Sequence, residues 1–341
     1  MYLLSVVRCA LILLVCVYMS MCYLHPNSDE FIAFINSKQV LWRARRNFHK
    51  NTPMSYFKKL TGTLVSHTQL PIKKYPQESK KLTKQFDGRE KWKNCPTVED
   101  IRDQGSCCSC WAAAAASAMT DRVCIKSNAT RNFYFSVNDL LSCCADCPAT
   151  GSGCDGGYLD RAWLYFNNTG VVSGGSYSSQ QGCKPYQIPP CNHKTADKRQ
   201  RCGPYVDTPK CEKKCQKYYN INYKLDKHKT SRVYKVIGET DIMKEIYYNG
   251  PVTTFFMIYE DFLHYHRGIY KHAAGDALEY HSVKLLGWGQ HRGVPYWLAA
   301  NSWNTDWGNR GFFKIIRGCN HCEIEENVVV GFITIVTYLT L

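Results

Sequence analysis

The stretch from Asp103 to Met119 contains the residue best placed for nucleophilic chemistry. It reads Asp-Gln-Gly-Ser-Cys-Cys-Ser-Cys-Trp, followed at once by five alanines. Alanine is the strongest helix former, so the sequence predicts a helix from near Cys110 to about Arg122. A cysteine at a helix N-terminus lies at the positive end of the helix dipole, which lowers the thiol pKa and favours the reactive thiolate. Cys110 is therefore the candidate nucleophile.

Three further residue types would complete thiol chemistry on an acyl group: a base, a group that orients the base, and a donor to the oxyanion. His281, in a strand-like run that ends Leu-Leu-Gly-Trp-Gly, is the candidate base. Asn301 follows in Ala-Ala-Asn-Ser-Trp, and its amide oxygen can hold one imidazole N–H, while Trp303 can shield that bond from water. Gln104 can donate its side-chain N–H to an oxyanion beside the backbone N–H of Cys110.

In this order the residues resemble the papain family of cysteine peptidases. The family signature Cys-Gly-[Ser/Ala]-Cys-[Trp/Tyr] corresponds here to residues 107–111, Cys-Cys-Ser-Cys-Trp. Within the family the resemblance is to the cathepsin B group, and it extends over nearly all of the chain after residue 22. The supporting stretches are Met54–Tyr56, Leu60–Thr63, Phe86–Glu90, Cys154–Gly157, Gly182–Tyr186, Ile188–Cys191, Asp207–Cys211, Asp241–Ile246 and Tyr296–Gly308.

The resemblance implies an α+β, two-lobe papain-like fold, with a helical left lobe, a strand-rich right lobe and the active-site cleft between them. The uncharged run over residues 9–19 predicts a signal peptide over residues 1–22. Residues 23–82 are predicted to be an inhibitory pro-segment, helical over 24–60 with an N-terminal signal at Ser28, and residues 83–341 a peptidase domain. Patterning predicts further helices over 137–141 and 241–249, and strands over 252–259, 281–288, 296–300, 311–317 and 328–340.

Composition limits the class of protein. The chain has 341 residues, 45% of them hydrophobic, so it is globular, and its 19 cysteines indicate an oxidising compartment. We therefore expect a secretory-pathway protein, lysosomal or secreted. The net charge of +15 is concentrated in residues 21–81, which hold eleven basic and three acidic residues. This segment carries no nucleic-acid-binding motif, so we expect no nucleic-acid partner. The uncharged tail from residue 328 is too short for a membrane span, and no stable membrane insertion is expected.

The resemblance also implies how the cleft is used. The pro-segment would lie through the cleft with Leu60–Thr63 near the nucleophile, in the direction opposite to a substrate. Gly156 and Gly157 would bind substrate backbone, and the Cys110 thiolate and His281 imidazolium would form an ion pair. The expected partners are peptide or protein substrates, the chain's own pro-segment and cystatin-type inhibitors. A monomer without a cofactor or metal ion is expected.

Residues 191–202, within the cysteine-rich region 183–215, resemble the occluding loop of the cathepsin B group. In that group the loop closes one end of the cleft and permits removal of C-terminal dipeptides. Here His193 could pair with Asp103, and Arg199 with Asp306, while Lys194 stands in place of a second loop histidine. Lysine attracts a terminal carboxylate without the pH dependence of histidine, so we expect an altered peptidyl-dipeptidase activity.

Six disulfides follow from the resemblance alone, since the number of cysteines does not choose a connectivity. The implied pairs are Cys95–Cys124, Cys107–Cys154, Cys143–Cys211, Cys144–Cys147, Cys183–Cys215 and Cys191–Cys202. The pair Cys319 and Cys322 could be half of a metal site, but no second pair has suitable spacing, so we interpret it as unpaired or locally bonded. Asn128 and Asn167 begin sequons and are candidate glycosylation sites.

Four departures from the family pattern raise an alternative function, against which the complete set of Gln104, Cys110, His281 and Asn301 argues. Cys108 replaces the glycine beside the nucleophile, and Glu279-Tyr280 replace two glycines before the base, where tyrosine would intrude on the cleft. Ala112–Ala116 replace larger residues, and Asn327 replaces the glutamate at the floor of the main specificity pocket. The alternative is a catalytically impaired relative that binds peptides.

Two other interpretations fail on sequence context. A redox site at Cys107 and Cys110 lacks a surrounding βαβ pattern and leaves the downstream histidine and asparagine unexplained. Gly151, Gly153 and Gly156 match a dinucleotide-binding spacing, but no strand is predicted before them and no clear helix after them, so we interpret them as turns.

Overall fold

The computed structural model describes residues 24–76, 82–193, 202–203 and 206–333. The predicted signal peptide, Lys194, Arg199 and the chain beyond residue 333 lie outside these ranges. In the described part of the chain, no helix has the length and apolar character needed to cross a membrane.

The pro-segment is not one helix over residues 24–60, so that prediction is wrong. Its elements are α1 (Asp29–Lys38), β1 (Trp42–Ala44), α2 (Met54–Leu60), β2 (Thr63–Leu64) and β3 (Ile72–Lys73). The predicted start is right, because Ser28 caps α1 by accepting the backbone N–H of Phe31 at 3.0 Å. Helix α1 ends because Trp42 is buried in strand β1, where the Gln39 side chain bonds both backbone groups of Trp42. Burial of one large aromatic side chain therefore overrides the local helical spacing.

The short helix α3 (Gly88–Lys91) lies against the right lobe, with Arg89 over the ring of Phe312. In the described part of the chain, three helices build the left lobe: α4 (Cys110–Lys126), α5 (Val137–Cys143) and α6 (Leu159–Asn168). Helix α4 begins at the predicted residue and runs four residues beyond the predicted end, buried from Cys110 to Cys124. Its alanines permit this because they let neighbouring elements approach on every side. Helix α6 was missed, so one reason for rejecting a dinucleotide site, the absence of a following helix, is wrong. Of the three glycines interpreted as turns, Gly151 lies in a bend, Gly153 begins a short 3₁₀-helix that ends at Asp155, and Gly156 follows that helix.

The right lobe is a ten-stranded sheet with α7 (Glu239–Asn249) beside it. Its strands in chain order are β1, β3, β4 (Phe86–Asp87), β6 (Arg232–Val236), β7 (Val252–Tyr259), β8 (Tyr265–Tyr270), β9 (Ala277–His291), β10 (Val294–Ala300), β11 (Phe312–Ile316) and β12 (Val328–Phe332). Strand β7 has the predicted bounds, and β9 is longer than predicted because it continues into a hairpin with β10. Strands β6 and β8 were not predicted. The α+β, two-lobe architecture is confirmed.

The pro-segment adds a strand to each edge of this sheet. Strand β1 pairs antiparallel with β8, and β3 pairs parallel with β6. Between them, β2 pairs parallel with β5 (Gly157–Tyr158) in a separate two-stranded sheet. An unpaired sheet edge is a row of free backbone donors and acceptors, so the pro-segment satisfies both edges as well as crossing the cleft.

A buried ion pair joins the two lobes. On β9, Lys284 donates to Asp121 of α4 at 2.6 Å, and both side chains are almost wholly buried. This ion pair joins the helix that begins at Cys110 to the strand that carries His281. Within the described residues, the disulfides are the six pairs implied by the resemblance, and all of them lie between residues 95 and 215.

Candidate active site

The candidate nucleophile is the first residue of α4 and is fully buried under the pro-segment. Its Sγ lies 3.3 Å from Oγ1 of Thr63, which also lies 2.7 Å from Oγ of Ser282. Burial raises the pKa of Cys110, and hydrogen bonds from Thr63 and from backbone groups oppose this increase only in part. The helix dipole that should favour the thiolate is therefore outweighed in the zymogen, where the thiol is protonated.

The candidate base lies within β9 and is completely buried. Nε2 of His281 donates to Oδ1 of Asn301 at 2.7 Å, which leaves Nδ1 as the proton-accepting atom. Burial lowers the pKa of His281 to about 4, although the bond to Asn301 acts in the opposite direction. The imidazole is accordingly neutral at physiological pH.

The orienting residue follows the end of β10. Oδ1 of Asn301 also accepts the backbone N–H of Ser302 at 2.7 Å, so its amide is held from two sides. The ring of Trp303 is buried and lies 4.8 Å from the imidazole ring, which keeps water from the His281–Asn301 bond. The structure therefore places Trp303 in the shielding position expected of it.

The candidate oxyanion donor is already engaged by the pro-segment. Nε2 of Gln104 donates to the backbone carbonyl of Leu60 at 3.0 Å and to that of Cys107 at 2.8 Å. Ser302 holds the other end of the amide by donating to its Oε1 at 2.8 Å. Nε1 of Trp303 also donates to the Leu60 carbonyl, at 3.2 Å. A pro-segment carbonyl thus takes the Gln104 donor that would serve a substrate carbonyl.

Where the pro-segment crosses the cleft, it packs against Gly156 and Gly157. The backbone N–H of Gly157 donates to the carbonyl of Gly62 at 2.8 Å, and the N–H of Gly62 donates to the carbonyl of Tyr280 at 3.2 Å. A Cβ on Gly157 would lie 2.6 Å from the ring of Trp111, and one on Gly156 would lie 2.7 Å from the Gly62 carbonyl. Only glycine permits this approach of two backbones. The pairing of β2 with β5 is parallel, and a substrate direction opposite to that of the pro-segment stays a prediction.

The unusual cysteine beside the nucleophile contacts the pro-segment directly. Sγ of Cys108 donates to the backbone carbonyl of Lys59 at 2.9 Å. Burial, with help from the neighbouring Cys110, raises the pKa of Cys108 to about 12, so this thiol is protonated. A Cβ on Gly62 would lie 2.5 Å from Cβ of Cys108, which shows how tightly the two segments pack.

The unusual tyrosine before the base is held by a residue that sequence reasoning missed. Its hydroxyl donates to Oε2 of Glu323 at 2.6 Å, and its ring packs edge-on against Phe255 at 5.3 Å. The bond to Glu323 and burial raise the pKa of Tyr280 to about 12. Asn327 donates to the backbone carbonyl of Glu323 at 3.4 Å, which places the tyrosine beside the pocket floor assigned to that asparagine. No local signal connects Tyr280 with Glu323, since 43 residues separate them.

The start of the predicted occluding loop packs on the pro-segment. The ring of His193 lies 4.8 Å from that of Phe48 and 6.2 Å from that of Tyr56. Its pairing with Asp103 stays a prediction. Among the described residues, Cys191, His193 and Cys202 are close enough to share a metal ion, but the two cysteines are bonded to each other and supply no thiolate.

The remaining candidates lie away from the cleft. Asn128 is exposed and Asn167 half-buried, and glycosylation at both stays a prediction. Cys319 and Cys322 are free thiols in the structure, consistent with the unpaired interpretation.

Comparisons with known proteins identify the family. The family model for papain family cysteine proteases matches residues 82–332, and the model for the propeptide of that peptidase family matches residues 27–66. A cathepsin B-like cysteine proteinase of Schistosoma japonicum is 40% identical over 317 residues, covering 91% of this chain and 92% of its own. A cathepsin B-like cysteine proteinase of Caenorhabditis elegans is 43% identical over 315 residues, with coverage of 90% and 92%.

Solved structures agree with this result. A procathepsin B of Trypanosoma congolense superposes with a TM-score of 0.78 at 36% identity, covering 89% of this chain and 97% of its own. A digestive procathepsin L2 of Tenebrio molitor, at 22% identity and a TM-score of 0.68 over 89% of each chain, shares the fold. The chain therefore belongs to the papain family of cysteine proteases, as a cathepsin B-like proteinase that carries its propeptide.

Proposed function

We propose that the chain is the zymogen of a secreted or lysosomal endopeptidase in which Cys110 is the nucleophile and His281 the base. The observation that carries this proposal is the course of the pro-segment. Its Leu60 carbonyl takes the side-chain donor of Gln104, and its Thr63 lies on the Cys110 thiol. A segment that must block these groups to hold the protein inactive indicates which groups act once it has left. The six disulfides support passage through an oxidising compartment.

The chemistry follows from the atoms that become free. When water re-enters the cleft, the desolvation that holds Cys110 and His281 neutral is relieved, and the proton on Sγ passes to Nδ1 of the imidazole. The thiolate attacks the substrate carbonyl carbon, and its oxygen accepts hydrogen bonds from Gln104 and from the backbone N–H of Cys110. His281 then protonates the departing amine, which leaves a thioester on Cys110. Water, deprotonated by His281, attacks the thioester and releases the acid and the thiol.

Two finer properties are part of the proposal. The start of the predicted occluding loop, closed by the Cys191–Cys202 disulfide, contacts the pro-segment through His193 and Phe48, which supports an additional, altered peptidyl-dipeptidase activity. Tyr280 and Asn327 line the main specificity pocket, and the Tyr280 hydroxyl donates to the carboxylate of Glu323. The pocket should therefore accept apolar side chains in preference to arginine.

The second candidate function, a peptide-binding protein with impaired catalysis, is favoured by the bulk of Cys108 and Tyr280 next to the reacting groups. It predicts the same zymogen and the same pro-segment contacts. It differs only in the processed protein, where peptides would bind without turnover.

The test uses protein processed at pH 5–6. An epoxysuccinyl inhibitor of thiol proteases is titrated against it, the labelled cysteine is located by mass spectrometry, and hydrolysis of a peptide library is followed in parallel. Labelling of Cys110 with turnover is the expected result. Labelling of Cys110 without turnover would support the binding protein instead. Absence of labelling from a processed, folded protein would refute the cysteine nucleophile, and a Cys108→Gly variant controls for labelling of the neighbouring thiol.

A further inference from the structure

The stretch from Leu70 to Pro76 docks on the peptidase domain well away from the cleft. It follows the propeptide family match, which ends at residue 66, and precedes the peptidase match, which begins at residue 82. Within it, Ile72 and Lys73 pair in parallel with Lys235 and Val236 of β6. The backbone N–H of Lys235 also donates to the carbonyl of Pro71 at 2.9 Å. The stretch therefore adds a strand to the sheet edge.

Two side chains of this stretch, two positions apart, meet one buried carboxylate. Nζ of Lys73 lies 2.9 Å from Oε2 of Glu245, and the hydroxyl of Tyr75 donates to the same oxygen at 2.6 Å. Residues two positions apart in an extended chain face the same side. Tyr75 lies two positions beyond Lys73, the last residue of β3, so this pair of contacts indicates that the extended course continues past the strand. Glu245 is completely shielded from solvent, whereas Lys73 retains 29% of its side-chain exposure.

The other oxygen of this carboxylate belongs to the peptidase domain itself. Oε1 of Glu245 accepts from Arg122 at 2.6 Å and from the Tyr234 hydroxyl at 2.9 Å. Burial opposes ionisation of Glu245, but the charges of Arg122 and Lys73 outweigh it and lower its pKa to about 2. One oxygen of the charged Glu245 carboxylate therefore accepts hydrogen bonds from the peptidase domain, and the other accepts them from the pro-segment.

Further contacts surround the lysine and the tyrosine. The Lys73 ammonium lies 4.6 Å from the Tyr75 ring and 5.0 Å from the Tyr234 ring. Asn249 donates to the Tyr75 hydroxyl at 2.8 Å, and Lys244 donates to the carbonyl of Pro76 at 2.9 Å. These groups combine backbone pairing, a charge-assisted bond and cation–π contacts, as expected of a site built for an extended peptide.

We propose that Glu245 and the free edge of β6 form a second binding site for the pro-segment, independent of the cleft, whose occupant is the chain's own stretch 70–76. The site recognises an extended strand with lysine and tyrosine two positions apart. That this site is present and vacant on the processed enzyme rests on the proposed function, in which processing removes the pro-segment. Two linked sites bind more tightly than either alone, so this anchor slows departure of the segment that blocks Cys110.

The adjacent lysines offer a matched pair of variants for the test. Lys73 reaches Glu245, while Lys74, one position along the strand, is exposed. Each Lys→Ala change removes one positive charge from the same stretch. Any general effect of charge must therefore appear in both variants, whereas an effect of the site appears in Lys73→Ala alone.

The first experiment uses the full chain with Cys110→Ala, so that no proteolytic activity is needed. Amide hydrogen exchange is followed by mass spectrometry over peptides that contain residues 68–76. Exchange in Lys73→Ala should be at least about tenfold faster than in the parent, since loss of one charged hydrogen bond corresponds to about that factor. Lys74→Ala should match the parent over residues 68–76 and also over residues 60–64. Equal exchange in the two variants, or no change in either, would overturn the proposal.

The second experiment uses processed enzyme whose cleft is blocked by the epoxysuccinyl inhibitor. A fluorescent peptide of residues 67–78 is titrated, and its anisotropy reports binding outside the cleft. The Lys73→Ala peptide should bind at least about tenfold more weakly, and the Lys74→Ala peptide within about twofold of the parent. Absence of binding up to about 1 mM, with Cys110 fully labelled, would overturn the proposal. If the proposed function is wrong, Cys110 is not labelled and no substrate is hydrolysed. The hydrogen-exchange experiment then still tests whether residues 70–76 anchor the pro-segment, because it needs no activity.

Discussion

Acidification should destabilise the zymogen through a histidine outside the catalytic group. His264 is completely buried where the peptidase domain meets the pro-segment, and its Nε2 donates to the carbonyl of Pro26 at 2.7 Å. The ring also packs edge-on against Phe31 of α1 at 6.2 Å. Burial lowers the pKa of His264 to about 4. Arg46 acts in the same direction, and the Pro26 carbonyl and Asp261 oppose them.

The sign and size of the effect follow from linkage. An unfolded histidine has a pKa of about 6.5, so between pH 6.5 and pH 4 the unfolded chain binds a proton that folded His264 excludes. Stability from this group is therefore complete above pH 6.5 and decreases as the pH falls towards 4. Between pH 7 and pH 5 the loss is about 2 kcal/mol. His281, whose pKa is also lowered to about 4, adds a loss of similar size and sign.

The assay is urea unfolding of the Cys110→Ala zymogen, followed by tryptophan fluorescence at pH 7 and pH 5. The parent should lose about 4 kcal/mol of unfolding free energy, and His264→Gln about half of that, because glutamine can donate to Pro26 but does not titrate. His67→Gln, a change at an exposed histidine of the same pro-segment, should behave as the parent. A loss in His264→Gln equal to that of the parent would refute the reasoning.

Three changes around the cleft give further tests. Gln104→Ala should lower kcat of the processed enzyme about 10²–10³-fold with little change in KM, because the amide acts on the transition-state oxyanion; a change confined to KM would contradict this role. Cys108→Gly removes the bond to the Lys59 carbonyl and should shorten the half-time of processing at pH 5 about fivefold, as followed on gels; an unchanged half-time would show that the contact is neutral. Tyr280→Phe frees the Glu323 carboxylate to attract a basic side chain. The ratio of kcat/KM for substrates with arginine to that for substrates with phenylalanine, two residues before the scissile bond, should rise about tenfold. A constant ratio would show that the Tyr280–Glu323 bond does not control this specificity.

The sequence predicted best where the signal is local. Helix α4 begins at Cys110 because an alanine run follows directly, and β7 has its predicted bounds because one apolar run ends at Tyr259. Prediction failed where tertiary burial decided the outcome. The spacing of Phe31, Phe34 and Trp42 continues a helix, yet the chain leaves α1 at Lys38 so that Trp42 can stack on Tyr265.

Residue types and their order were enough to indicate a thiol nucleophile, a base, an orienting amide and an oxyanion donor, because each role requires a particular functional group. They could not indicate what the pro-segment does to these groups. The Leu60 carbonyl on Gln104 is backbone, which every residue possesses, and the bonds Tyr280–Glu323 and Lys73–Glu245 join residues 43 and 172 positions apart. The protonation states of Cys110 and His281 depend on burial, which cannot be read from the residue types alone. The chemical groups are a property of the chain, whereas their neighbours and their charge arise only when distant segments pack together and exclude water.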